Sequence, residues 1–175
     1  MSSSSPVSVL IGPPGAGKTA IGAAVADRLG VGFLDTDAVI EATAARSISD
    51  IFVEDGEATF RQLELDTVLA ALAEHDGVVS LGGGAVMTVA VAQALASPRY
   101  AESVVFLDVG IADAASRVGF DASRPMLVIN PRASWNRLMK ARRPTYERLA
   151  HLHIDTAGRG VDDIRDEIVA ALGHS

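Results

Sequence analysis

The chain reads as an α/β protein, a parallel sheet covered by helices on both faces. Short apolar runs of β type alternate with segments of helical periodicity along its length. The first such run passes through a glycine-rich loop straight into a helix, the local signature of a strand–loop–helix unit that opens many parallel sheets. No internal repeat and no linker rich in Pro, Gly or Ser interrupts the 175 residues, so one domain is expected over 7–175 behind a flexible tail at 1–6. With 49% hydrophobic and 21% charged residues the composition is that of a folded chain.

The elements follow in order. Val7–Ile11 is a short apolar strand. Gly12-Pro13-Pro14-Gly15-Ala16-Gly17-Lys18-Thr19 then matches the phosphate-binding pattern G-x-x-x-x-G-K-[ST] at every position. A tight turn would explain Gly-Pro-Pro-Gly, but a turn does not call for Lys-Thr at its far end. In such a loop, backbone N–H groups and the helix N-terminus face phosphate oxygens, lysine neutralises the outer phosphates, and the Thr19 hydroxyl can ligate Mg²⁺. Lys18–Leu29 repeats Ile21, Val25 and Leu29 at helical spacing. Gly32–Asp35 is the second strand and Asp37–Ala44 a helix. Phe33-Leu34-Asp35-Thr36-Asp37 sets two carboxylates at a strand's carboxyl end, where ligands of open α/β sheets bind. One of the two could hold Mg²⁺ while the other takes a hydroxyl proton; alternatively Asp37 caps the helix and Asp35 is a loop acid.

Glu57–His75 is a long helix with Phe60, Leu63, Val68 and Leu72 on one side. Gly77–Leu81 is the third strand, ending in Gly82-Gly83-Gly84; three glycines in a row let a ligand approach the backbone closely and are costly in chain entropy if they do nothing. Val89–Ala96 (helix), Ser103–Asp108 (strand) and Ile111–Val118 (helix) continue the alternation. Gly119 to Pro131 breaks it, with Gly119, Pro125 and Pro131, and is expected to be a mobile lid carrying Arg124. Ala133–Leu149 (helix), His151–Asp155 (strand) and Asp162–Leu172 (helix) complete the chain. Arg61, Arg124, Arg142 and Arg143 are candidates for anion contacts, although Arg132, Arg137 and Lys140 can equally be a solvated basic face. His75, His151, His153 and His174 show no spacing that assigns them a role.

Composition narrows function. Acidic residues outnumber basic ones by 22 to 15, so no general attraction for nucleic acid or anionic lipid exists. The absence of cysteine excludes disulfides, thiolate catalysis and cysteine metal sites. Residues 1–6 carry neither basic residues nor an apolar stretch, and no run reaches the length of a membrane span, so a cytoplasmic protein is expected.

Taken together, Gly12 to Thr19, Asp35-Thr36-Asp37, Phe60-Arg61 with Glu64, Gly82-Gly83-Gly84, Arg124-Pro125 and Arg142-x-Pro144-x-Tyr146 resemble shikimate kinase from about Val7 to Leu172. The resemblance implies a three-layer nucleoside-monophosphate-kinase-like fold with a five-stranded parallel sheet and a lid. It implies transfer of the γ-phosphoryl of MgATP to the 3-hydroxyl of shikimate by a monomer. By position, Asp37 would contact the shikimate hydroxyls and accept the proton. Arg61 and Arg142 would grip the carboxylate, with Gly82, Gly83 and Gly84 lining the pocket. Lys18 and Arg124 would serve the phosphates, Thr19 and Asp35 the Mg²⁺, and Arg117 and Arg159 would flank adenine. A related kinase acting on gluconate or a nucleotide is the nearest alternative, but two arginines favour a carboxylated acceptor. A non-catalytic nucleotide switch would need neither Asp37 nor the triple glycine.

Overall fold

The sheet is built from five parallel strands in the order β2-β3-β1-β4-β5: β1 (Ser8–Ile11), β2 (Phe33–Asp35), β3 (Val78–Ser80), β4 (Val104–Asp108) and β5 (Leu152–Asp155). The computed structural model describes residues 4–118 and 130–173, with only the backbone described at Arg117 and Val118. The expected strands are all present, four of them trimmed by one residue and β3 by one at each end; Val7, for example, donates to the Gly77 carbonyl but lies ahead of the ladder.

Neighbouring residues on β1 face opposite layers. Leu10 points toward α1 (Lys18–Leu29), where Gly22 leaves it room. Ile11 pairs with Phe106, whose ring stacks on Tyr146 of α7 (Pro131–Leu149) at 5.0 Å. The helix α1 packs on α8 (Val161–Ala171), while α4 (Glu57–Glu74), α5 (Val89–Ala96) and α7 are packed in series. Two helical layers thus enclose a sheet whose central strands are almost wholly buried. The order β3-β1-β4 places β1 at a switch point, with one crossover leaving to each side, and the crevice there opens at the strands' carboxyl ends.

One α-helix is not among those expected from the sequence. Residues Ile48–Asp55 form α3, capped by Ser47, whose hydroxyl accepts from the Asp50 N–H at 3.0 Å. With α2 (Thr36–Ala44) and the first half of α4 it closes a second small core of Ile40, Ile51 and Phe60, flanked by Phe52 and Leu63. The apolar side of α4 is therefore divided: Phe60 and Leu63 serve the small core, Val68 and Leu72 the main one. That division makes α4 the beam on which an outrigger of α2 and α3 stands off the sheet.

Of the segment expected to be a tail, Ser4 donates to the Ala73 carbonyl at 3.1 Å and Pro6 is buried. The expected lid, 119–131, lies outside the described residues up to 129. Between β4 and the end of α6 (Ile111–Val118) the chain follows the expected course. Among the described residues no helix is long and apolar enough to cross a membrane.

Candidate active site

The loop at Gly12 to Thr19 wraps the carboxyl end of β1. Gly15 and Gly17 have φ of 85° and 88°, a left-handed conformation that lets successive N–H groups face one concavity. A side chain on Gly12 is excluded for another reason: its Cβ would stand 2.4 Å from the Leu107 carbonyl oxygen of β4. Gly17 also caps α1 with no side chain closing the helix end, so the positive end of that helix faces the concavity. The Lys18 ammonium donates to the Gly12 and Pro13 carbonyls at 2.8 and 3.0 Å, bridging the loop's mouth. Gly12, Pro13 and Ala16 form the buried underside, whereas Pro14, Gly15, Gly17, Lys18 and Thr19 line a cleft of about 570 Å³.

The other end of the cleft is lined by Asp37, Arg61, Glu64, Gly82, Gly83, Gly84 and Arg142. The carboxylate pair at 35 and 37 divides its work. Asp35, not Asp37, caps α2: its Oδ1 accepts from the N–H groups of Asp37 and Ala38 at 2.9 and 3.4 Å. Its Oδ2 accepts the Thr19 hydroxyl at 2.9 Å, tying α2 to the phosphate loop. The buried Thr36 hydroxyl donates to the Ser80 carbonyl at 3.2 Å, pinning the start of α2 to the end of β3. Asp37, between these two ties, is aimed at the glycine run. Its Oδ1 lies 2.7 Å from where a Cβ on Gly82 would stand.

The triple glycine makes room for side chains as much as for a ligand. A Cβ on Gly83 would be 3.0 Å from Nη1 of Arg142, and one on Gly84 would be 2.5 Å from Nη2 of Arg61. The two guanidinium groups therefore lie against consecutive residues of one loop. Glu64 lies with them, a carboxylate the sequence reading gave no role although it stands one helical turn from Arg61. Its Oε1 accepts from Arg61 Nη1 at 2.6 Å, and its side chain is 2% exposed. Burial pushes the Glu64 carboxyl above the ordinary range, with the Arg61 and Arg142 cations opposing. Tyr146 closes the floor by donating to the Gly83 carbonyl at 2.5 Å; burial pushes its hydroxyl up to about 12, so it remains a donor. Ile48 and Phe52 of the outrigger, with Phe60 of α4, supply an apolar wall, and the pattern S-x-x-D at 47–50 was the signal that could have revealed α3.

Arg142 is 5% exposed and turned into the cleft, whereas its neighbour Arg143 turns away to Asp108. Arg159 does not line the cleft; it is held by Asp163 and Glu167 of α8 at 2.8 and 2.6 Å. Arg124 lies outside the described residues, as does the side chain of Arg117. Thr19 and Asp35 offer hard oxygen donors beside the phosphate loop, the donor type Mg²⁺ prefers when phosphates and water complete its shell. Among the described residues there is no group of three or more His, Asp or Glu that would bind a metal alone.

A phosphate cradle at one end and two arginines with an acid at the other can bring a polyphosphate against a hydroxylated carboxylate. The family model for shikimate kinase matches residues 14–173. The shikimate kinase of Thermobifida fusca is 51% identical, over 97% of this chain and 96% of that protein. That of Mycobacterium bovis is 46% identical, over 95% and 93%. Among solved structures, shikimate kinase from Acinetobacter baumannii in complex with shikimate superposes with a TM-score of 0.88 and 32% identity, covering 96% of this chain and 92% of that one. A gluconokinase from Sinorhizobium meliloti, at 17% identity and a TM-score of 0.51, shares the fold alone.

Proposed function

Since the chain belongs to the shikimate kinase family, we propose which of its residues perform that family's reaction. The protein is an ATP-dependent kinase: the γ-phosphoryl group of ATP passes to the 3-hydroxyl of shikimate, leaving ADP and a phosphate ester and releasing the hydroxyl proton.

The backbone N–H groups of the loop from Gly12 to Thr19, with the positive end of α1, hold the phosphates. Lys18 neutralises charge on the transferred group as its bonds to Gly12 and Pro13 are exchanged for phosphate oxygens. Arg61 and Arg142 grip the acceptor carboxylate, the bidentate use for which guanidinium is suited. Glu64 keeps the Arg61 plane fixed and offsets part of the paired positive charge. Asp37 orients the acceptor hydroxyl and takes its proton late, because a loose phosphoryl-transfer transition state needs little early help from a base. Thr19 and Asp35 would hold Mg²⁺, which when bound supplies charge neutralisation to the β- and γ-phosphates. Arg124, and Arg117 with Arg159, are assigned to the phosphates and the adenine on their sequence positions. A monomer acting in the cytoplasm is the assembly and compartment we assign to this scheme, on the family resemblance.

The observation that carries this reading is the single cleft joining the loop's Lys18 to Asp37, Arg61 and Arg142. Positioning of two substrates at its two ends is the main source of rate in such a reaction. A coupled ADP-release assay with MgATP against shikimate, quinate, gluconate and nucleoside monophosphates tests it. Turnover with shikimate is expected; turnover confined to another acceptor would refute it.

A further inference from the structure

We infer that Asp108 and Arg143 are positioning residues for the acceptor carboxylate: their ion pair sets the rotation of α7 that aims Arg142 into the cleft. Neither side chain lines the cleft. The inference rests on the reading that Arg142 holds that carboxylate.

The turn that bears Arg142 is the weak point of α7. Pro144 sits inside the helix and brings no N–H for the carbonyl of Lys140, so the turn from 140 to 144 lacks one of the bonds that fix its pitch. Tertiary contacts brace it on both sides. On one side Arg143 Nη1 and Nη2 donate to Asp108 Oδ2 and Oδ1 at 2.6 and 2.9 Å, a two-point contact that sets orientation as well as distance. Asp108 ends β4, a strand paired on both edges, so the anchor is rigid. His153 of β5 reinforces it, with Nε2 3.0 Å from Asp108 Oδ2 and the ring stacked on Phe106 at 4.6 Å. Glu147, a turn further along α7, stands 3.7 Å from Arg143. On the other side Tyr146 stacks on Phe106 and donates to Gly83, the residue against which Arg142 rests.

Successive helix residues project about 100° apart, so fixing Arg143 on β4 fixes where Arg142 points. A rotation that released Arg143 would carry Arg142 off Gly83. The sequence Arg142-Arg143-Pro144 thus divides two like residues between gripping a ligand and holding the helix that grips it.

Steady-state kinetics on Asp108→Asn, Arg143→Met and Arg143→Lys, each also in an Arg142→Ala background, test the idea. Asp108→Asn and Arg143→Met should each raise KM for shikimate about tenfold, a coupling of the size seen between neighbouring groups. KM for ATP and kcat should stay within about twofold, since uniform binding alone is lost. Arg143→Lys keeps the charge but one bond, and should fall between. In the Arg142→Ala background the same changes should add nothing to the loss in kcat/KM for shikimate. Equal losses in both backgrounds, or a fall in kcat and thermal stability with KM for shikimate unchanged, would overturn the inference while leaving the role of Arg142 intact. If Arg142→Ala itself leaves KM for shikimate unchanged, the reading of the site fails, and this inference with it.

Discussion

Asp37 and Glu64 converge on Gly82 from different helices, yet their surroundings separate their tasks. Glu64 is buried and committed to Arg61, whereas Asp37 is held by its backbone and points its carboxylate along the cleft. Asp37→Asn should lower kcat by about 10²- to 10⁴-fold, the usual worth of a positioned base, with ATP affinity nearly unchanged in a binding titration. Gly84→Ala separates room from flexibility. The atoms nearest its methyl would belong to the far end of the Arg61 side chain, which can move aside, so the fold should survive while KM for shikimate rises. A KM equal to that of the parent would show that Arg61 does not need its present place. At this scale the sequence was most legible where chemistry is local: the phosphate loop followed from its motif, whereas only the family resemblance sets Arg61 and Arg142 apart from Arg124 and Arg143, and the residues alone leave Asp37 between two readings. Asp35 as the α2 cap was not foreseen, because its neighbour at 37 fits the same role and only geometry decides between them.

The five strands were legible because buried parallel strands are short unbroken apolar runs, and the long helices because their periodicity extends over several turns. The helix α3 was not. Eight residues give too little periodicity to stand out, and only Ile51 among them is fully buried. Its worth comes from its cap and from Phe52 and Phe60, whose rings lie 4.8 Å apart. Ser47→Ala should cost about 1 kcal/mol of stability, as cap removals do, read as a lower midpoint in urea. Because Ile48, Ser49 and Phe52 line the cleft, the same change should also weaken shikimate binding. Stability lost with no change in KM for shikimate would show the outrigger to be scaffolding alone.

Over the whole molecule, the two cores meet along α4, and neither the division of that helix nor the burial of Glu64 follows from periodicity: the first depends on α3 packing against its first half, the second on Arg61 and the glycine loop that lie over the carboxylate. Acid should release the anchor of α7 only late, at a pH below the ordinary carboxylate range. Burial disfavours the Asp108 carboxylate, but hydrogen bonds from Arg143 and His153 outweigh it and hold this carboxyl below its ordinary range. A depressed folded pKa contributes stability that is present above the unfolded value, near 3.9, and is lost as pH falls through the folded one. Asp108→Asn should therefore be less stable than the parent at neutral pH and lose less on acidification below about pH 4, where parallel thermal melts would converge. Curves that stay a constant distance apart would exclude the pair as a source of acid sensitivity. A last consequence lies in Trp135, the chain's one tryptophan, buried on α7 with its indole N–H donating to the Pro14 carbonyl at 3.4 Å. The protein carries its own optical gauge at the donor end of the cleft: the emission of a single indole reports on the phosphate loop without any label, and an ATP titration can be followed in the unmodified enzyme.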